Sequence, residues 1–270
     1  MQLHRNVCHD NDLKTMQTIS SSSSTSLIYW KQNANKSNLS EANFNGDALV
    51  LKPFYFKVFS GIASALKDDH VTKFIPLWQD TMSEAESELR PFISNAFLNH
   101  TADDAKMVER VVNKFRGNCG EIFAEKLFTS GLGADVCKLG SYVPVDPHHE
   151  EGVDATGFSN VSGLKIGIQV KNFSSGEVDI DVFRTAGDES DKLSHSLESV
   201  EQFKDFLRCP SQVILSFTDA RKIIVQQYEK RVRFLGPSYI ESRGLCGKRG
   251  DACGNWTFFQ DIADEISRIF

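Results

Sequence analysis

Hydrophobic positions change from a helical to a strand period near the middle of the chain. Within residues 48–99, apolar side chains recur every three or four positions, which is typical of helices that bury one face. The pattern predicts three helical pieces at residues 54–66, 71–82 and 84–97, the last interrupted at Pro91. This region contains no catalytic motif, so we expect it to recognise a target, to dimerise or to hold a partner.

A further helix is predicted after Thr101, where two aspartates favour a helix N-terminus. Its apolar face would be formed by Met107, Val108, Val111, Val112 and Phe115. Gly117 is expected to weaken or break this helix. Another helix is predicted at about residues 118–130, ended by Gly131.

From residue 136 onward the pattern indicates strands. Three are predicted at residues 136–143, 152–158 and 164–173, and the turn residues between the last two should join them in a hairpin. The elements expected after them are a helix at 197–207, a buried strand at 211–217 and a closing amphipathic helix at 256–270. The period of residues 222–227 fits a helix or a strand.

This order of elements predicts the fold class and the domains. We expect an α/β fold with a mixed sheet flanked by helices and an N-terminal helical region. The predicted division is a polar, Ser-rich arm at residues 1–45, a helical region at 46–105 and an α/β domain at 106–270.

The composition is that of an ordinary folded protein. The 270 residues are 24% charged and 40% hydrophobic, with a net charge of −6. These values argue against disorder and against a protein that coats nucleic acid through bulk charge. Twenty phenylalanines predict an aromatic core or groove. We expect neither a membrane helix nor a signal peptide, because no apolar run is long enough and the N-terminus lacks an apolar stretch.

The cysteines and histidines give weaker signals. Six cysteines in 270 residues are too sparse for a disulfide scaffold, so we expect reduced, mostly buried thiols in the cytoplasm. Cys246 and Cys253 could supply half of a zinc site, but no second pair with ligand spacing follows. His148 and His149 could contact substrate or metal, and a polar loop explains them equally well.

Four polar residues are expected to meet at one place on the predicted sheet. Gln169 and Lys171 lie two positions apart on one strand, so they point to the same face. Asp154 lies on the partner strand of the hairpin, and the preceding helix can bring Glu121 close. Carboxylate and amide oxygens suit Mg²⁺, which would activate a phosphodiester and water while Lys171 stabilises negative charge. Each residue alone also fits a solvated surface position.

Residues 116–217 resemble the PD-(D/E)xK nuclease superfamily, which has the restriction-endonuclease-like fold. Its motif is an acid on the second core strand, then acid-x-Lys on the third. Asp154 and the run Gln169-Val170-Lys171 stand at these positions. Glutamine at the acid position resembles the Mrr-like restriction branch, and it leaves one fewer negative charge at the metal. Val153 replaces the proline of the motif.

The helix before the sheet carries a second resemblance. The sequence RGNCGE at residues 116–121 is similar to the helix start of archaeal Holliday-junction resolvases. That similarity implies that Glu121 is the metal-site acid, with Glu125, one helical turn later, as the reserve.

Together the resemblances imply a divalent-metal-dependent endonuclease that hydrolyses DNA in restriction or phage defence. Asp154, Glu121 and the Gln169 amide would bind Mg²⁺, for which Mn²⁺ would substitute, and Lys171 would be catalytic. They also imply a homodimer or part of a larger defence complex in a bacterial cytoplasm, without a membrane. Two alternatives remain: a nucleic-acid-binding or regulatory subunit that has lost cleavage, and an RNA-cleaving toxin or resolvase.

Residues 221–250 form a basic segment that fits a nucleic-acid partner. Eight Lys or Arg residues stand against two Glu, a local charge of +6, and aromatic residues interleave with them. Such a segment can follow a phosphate backbone, although a charged surface loop has the same composition. The residues expected to contact nucleic acid are Lys230, Arg231, Arg233 and Arg116.

Overall fold

A computed structural model describes residues 48–67, 71, 73–97, 102–130, 132, 139–144, 153–160, 162–173, 178–180, 209–223, 232–242 and 255–268. The helices are α1 (Ala48–Lys67), α2 (Phe74–Phe97), α3 (Ala102–Thr129), α4 (Pro237–Ser242) and α5 (Trp256–Arg268). The strands are β1 (Leu139–Pro144), β2 (Ala155–Ser159), β3 (Lys165–Lys171), β4 (Val178–Ile180), β5 (Ser211–Ser216), β6 (Ala220–Ile223) and β7 (Val232–Leu235). The predictions for the Ser-rich arm, the helix at 197–207, His148, His149, Cys246 and Cys253 lie outside the described residues.

The helices are longer than the sequence pattern predicts. The expected interruption at Pro91 is wrong, since α2 continues through it, and so is the expected break at Gly117 inside α3. Leu89 and Ile93 are fully buried on either side of Pro91. Tertiary packing of this kind provides most of the stability of a helix and outweighs the local cost of a proline or glycine.

The strands form a mixed sheet in the order β1-β2-β3-β5-β7, so the predicted α/β class is confirmed. β1, β2 and β3 pair antiparallel, while β3, β5 and β7 run parallel. A separate parallel pair is formed by β4 and β6. β6 resolves the ambiguity at residue 222 in favour of a strand, whereas residues 224–227 lie outside the described part.

The predicted hairpin is present between β2 and β3. Ser159 donates its backbone N–H to the Leu164 carbonyl at 3.0 Å, and Gly163 donates to the Ser159 carbonyl at 2.8 Å. Gly163 has a φ of 66°, which side chains rarely adopt, so glycine suits this turn. β2 begins three residues later than predicted, at Ala155, and this shift leaves Asp154 just before the strand.

A single aromatic-rich core joins the helices to the sheet. Its largest fully buried side chains include Phe74, Trp78, Phe123, Phe217 and Phe259. We call these five residues the aromatic core. Helices α1, α2, α3 and α5 contribute to the same buried cluster as β1, β3 and β5. Helix α3 begins at Ala102 and crosses the predicted domain boundary after residue 105.

Two features of the described residues bear on the remaining fold predictions. The thiols of Cys119 and Cys209 are buried and not in disulfides, as expected of these two cysteines. None of the described helices combines the length and the apolar character that crossing a membrane requires.

Candidate active site

Asp154 is held at the start of the hairpin by both its backbone and its side chain. Ala155 pairs with Ile168 in the β2–β3 register, and Asp154 directly precedes it. The Asp154 backbone N–H donates to the Ile168 carbonyl at 3.0 Å, and its Oδ2 accepts the Val170 N–H at 2.5 Å. The side chain therefore replaces a strand carbonyl, and its carboxylate lies in the plane of the sheet near the C-terminal end of β3.

β3 separates its side chains onto two faces. Ile166 and Ile168 belong to the core, and Val170 packs against it. Gln169 and Lys171 point to the other face, as the alternation predicts. Gln169 is only 2% exposed, whereas Lys171, at the end of the strand, is half-buried.

α3 crosses β3 very closely at Gly120. A Cβ at this position would lie 2.9 Å from the Cβ of Asn172 and 3.1 Å from Cγ1 of Val170. Only glycine allows this approach without displacement, so the contact explains why a glycine stands directly before Glu121. Because Val170 shares its face with Ile168, α3 covers the core face of β3.

Tyr142 in β1 is a buried phenol whose pKa responds to three carboxylates. Burial raises the pKa of Tyr142 well above its ordinary value, and the negative charges of Glu121, Glu125 and Asp154 raise it further, in that order. Coulomb interactions weaken with distance, so these charges lie near the phenol. We call Glu121, Glu125 and Asp154 the acidic centre.

Within the acidic centre, Glu121 and Glu125 occupy different environments. Glu125 is 1% exposed, whereas Glu121 is half-buried and has the larger effect on the pKa of Tyr142. Glu121 also raises the pKa of Tyr55 in α1, after the stronger effects of burial and Cys119. Glu121 is therefore the more accessible of the two helix acids.

The structure thus groups some of the predicted site residues and separates others. Asp154 and Glu121 both raise the pKa of Tyr142, while strand alternation directs Gln169 and Lys171 to the face of β3 opposite α3. Lys171 ends the strand directly after Val170, whose N–H donates to the Asp154 carboxylate. Tyr142 was missed from the sequence because an aromatic residue inside a predicted strand has the pattern of an ordinary core position.

Glu121 and Asp154 carry the kind of oxygen ligand that a hard divalent cation takes. Mg²⁺ is commonly held by one or two carboxylates and keeps several waters, and Glu121 with Asp154 supplies that number. Among the described residues, no three His, Cys, Asp or Glu side chains are arranged as a metal-binding group.

Arg116 has a structural position. Its guanidinium pairs with Glu86 at 2.6 Å and donates to Oε1 of Gln79 at 3.1 Å. Arg116 and Glu86 are 4% and 8% exposed. A guanidinium buried in an ion pair is not available to a phosphate backbone, so the predicted contact of Arg116 with nucleic acid does not fit its position.

The basic segment is described only in part. Arg233 is exposed on β7, while Lys230 and Arg231 lie outside the described residues. Glu241 of α4 accepts the backbone N–H groups of Phe74 and Ile75 at 2.9 and 2.8 Å, so it caps the N-terminus of α2. Glu241 therefore belongs to the basic segment by sequence but stabilises the helical region by capping α2.

Comparison with known proteins adds no relatives. A scan against models of protein families finds no match to this chain, and searches of curated proteins and of solved structures find no similar chain either. A functional assignment therefore depends on the residues and their arrangement.

Proposed function

We propose that the chain is a divalent-metal-dependent endonuclease that hydrolyses DNA, of the restriction or phage-defence type. The observation that carries the proposal is the acidic centre. Asp154 is fixed at the start of the hairpin by its bonds to Ile168 and Val170, and Glu121 belongs to α3, which lies against β3 at Gly120. Both carboxylates raise the pKa of Tyr142. A helix followed by a hairpin and a buried parallel strand is also the context that the PD-(D/E)xK resemblance implies.

In this proposal each residue has a distinct task. Asp154 and Glu121 hold Mg²⁺ or Mn²⁺, which supplies Lewis-acid activation of the phosphodiester. The ammonium of Lys171, at the end of β3, stabilises the negative charge that develops on phosphate oxygens. The exposed Arg233 and the rest of the basic segment hold the DNA backbone. A homodimer would place two such centres on the two strands of a duplex.

One observation favours a second candidate, a subunit of the same fold that binds nucleic acid without cutting it. Gln169 stands where the nuclease motif has a carboxylate, and its side chain is 2% exposed on the face away from α3. The centre then lacks one negative charge that would attract the metal. Such a subunit would bind DNA and show no metal-dependent cleavage.

A cleavage assay separates the two candidates. Purified protein is incubated with plasmid, linear duplex, single-stranded DNA, a four-way junction and RNA, in Mg²⁺, Mn²⁺ or EDTA. The nuclease proposal expects cutting that requires metal and is abolished by Lys171→Ala and Asp154→Asn. Asparagine retains an acceptor for the Val170 N–H, so the second variant removes the charge and preserves the hairpin contact.

The strand itself offers a matched control. Lys165 lies on the same strand and the same face as Lys171 but at the other end, and it is exposed. Lys165→Ala should cut like the wild type. Cutting that survives both site variants would place the active site elsewhere. Absence of cutting with retained DNA binding would favour the non-cleaving subunit, and preferential cutting of RNA would favour the toxin or resolvase.

A further inference from the structure

Asn172 follows β3 directly and is buried between two helices. Its Nδ2 donates to the backbone carbonyl of Arg116 in α3 at 2.8 Å, and its Oδ1 accepts the indole N–H of Trp78 in α2 at 3.0 Å. The side chain is 8% exposed. Both ends of the amide are therefore used, one toward each helix, and a shorter or apolar side chain would leave buried polar groups without partners.

Neighbouring hydrogen bonds hold the residues on either side of Asn172. Gln79 of α2 donates to the Phe173 carbonyl at 3.2 Å, and Phe217 donates its backbone N–H to the Lys171 carbonyl at 3.0 Å. On α3, Gly120 lies against Asn172 so closely that an added Cβ would be 2.9 Å from the Asn172 Cβ. The end of β3 is thus fixed to α2, α3 and the residue after β5.

This arrangement connects the two elements that supply carboxylates to the acidic centre, the hairpin and α3. Asp154 is bonded to β3 through Ile168 and Val170, so it moves with that strand. Glu121 belongs to α3 and directly follows Gly120. The separation between the two carboxylates therefore depends on how α3 packs against the end of β3. Asn172 and Gly120 form that packing contact.

We infer that Asn172 is a positioning residue that sets the spacing between Glu121 and Asp154 through its bond to α3 and its contact with Gly120. The inference rests on the proposed metal-dependent function and extends it beyond the residues that touch the metal. Asn172 contacts neither metal nor substrate in this role. Its loss should weaken metal binding, whereas the loss of Lys171 should slow cleavage without changing metal affinity.

The test measures Mn²⁺ affinity and cleavage rate separately. Mn²⁺ binding is followed by electron paramagnetic resonance, and cleavage is measured over a range of Mn²⁺ concentrations. Asn172→Ala should weaken Mn²⁺ binding by about 10–100-fold, the usual cost of losing a group that orients a ligand. Saturating Mn²⁺ should restore its cleavage rate. Lys171→Ala should show the opposite split, with normal affinity and a rate that Mn²⁺ does not rescue.

A matched pair of glycines in α3 tests the packing contact between α3 and β3 without removing a hydrogen bond. Gly120→Ala should weaken Mn²⁺ binding as Asn172→Ala does, because its methyl group displaces α3 from β3. Gly117→Ala adds the same methyl group one turn earlier, where no atom lies within 4 Å, and should leave Mn²⁺ binding unchanged. Unchanged affinity in both Asn172→Ala and Gly120→Ala would overturn the inference.

Hydrogen exchange distinguishes failure of this inference from failure of the proposed function. Asn172→Ala should speed amide exchange in residues 169–173 while exchange in α1 and β1 stays as in the wild type. Local loss of protection would show that Asn172 holds the end of β3 against α3. A wild type that neither binds Mn²⁺ nor cuts would refute the proposed nuclease and the role of this contact in metal binding, but not the contact itself. Unchanged exchange at residues 169–173, or equal loss throughout the molecule, would overturn the positioning role.

Discussion

The aromatic core and the polar contacts at the end of β3 lie side by side but are held together in different ways. In the core, Trp78 stacks on Phe217 with ring centroids 4.4 Å apart, and Phe74, Phe123 and Phe259 continue the cluster. These contacts are numerous, weakly directional and replaceable. The polar contacts are few, and each has one geometry. We therefore expect core substitutions to change the free energy of unfolding. Substitutions at the end of β3 should instead change the position of α3 relative to β3.

The largest expected effect is in the core. Phe259 is fully buried and stacks on both Phe74 and Phe123. Phe259→Ala should lower the free energy of unfolding by about 3–5 kcal/mol, because it removes a large buried ring and leaves a cavity. Urea unfolding measures this loss. Mn²⁺ affinity of the molecules that remain folded should be unchanged, and a parallel loss of affinity would show that the two regions are not separable.

A smaller loss is expected from the buried ion pair between Glu86 and Arg116. Glu86→Leu leaves the guanidinium buried without its carboxylate and should lower the free energy of unfolding by about 3 kcal/mol. Adding Arg116→Met should recover most of this loss, since the unpaired charge is removed. Urea unfolding of the single and double variants checks this. A double variant no more stable than Glu86→Leu would show that the arginine contributes mainly through packing.

The smallest expected effect is on the pH dependence of the free energy of unfolding. Burial is the main reason that the pKa of Tyr55 is raised, with a nearby Cys119 adding to it. The unfolded chain releases the tyrosine proton near pH 10, whereas the folded chain retains it above that pH, so the free energy of unfolding should fall as pH rises from about 10. Burial raises the pKa of Tyr142 as well, so Tyr142 contributes to the same slope. Tyr55→Phe should therefore reduce the slope without abolishing it, and should cost about 1 kcal/mol at neutral pH, where Asn118 loses its acceptor.

Urea unfolding of wild type and Tyr55→Phe between neutral and alkaline pH measures the slope. Burial raises the pKa of Cys119 as well, so its ionisation should lower stability from about pH 8.5, the ordinary range of a thiol. The thiol and the tyrosine contributions are distinguished by the pH at which stability begins to fall. A wild-type stability that is constant up to strongly alkaline pH would contradict the burial of both groups.

Elements with a strong hydrophobic period were predictable from the sequence. The hairpin, the buried strand β5 and the amphipathic helix α5 stand close to their predicted positions, because alternation and turn residues are local signals. Gly117 and Pro91 were misjudged because their local cost is small beside the burial of neighbours such as Phe115 and Leu89. The pairing of β4 with β6 joins short strands far apart in sequence and has no local signature.

The position of Asp154 beside β3 was predictable from the sequence, whereas the buried polar residues around it were not. The turn residues predict a hairpin, and this hairpin brings Asp154 beside β3, where it bonds with Ile168 and Val170. Tyr142 and Asn172 could not be found in this way. Each is a buried polar residue whose importance comes from groups on other elements, such as Glu121 beside the phenol and Trp78 beside the amide.

The cap on α2 has a consequence for the way the chain folds during synthesis. Phe74 and Glu241 are 167 positions apart, so the first turn of α2 receives its cap only after the ribosome has made α4. Likewise α1 packs against α5 and Lys52 donates to the Ser267 carbonyl across 215 positions. The N-terminal helices thus complete their folding only when these late elements have emerged. Until then they expose apolar faces, and exposed apolar surface makes an incompletely folded chain prone to aggregation.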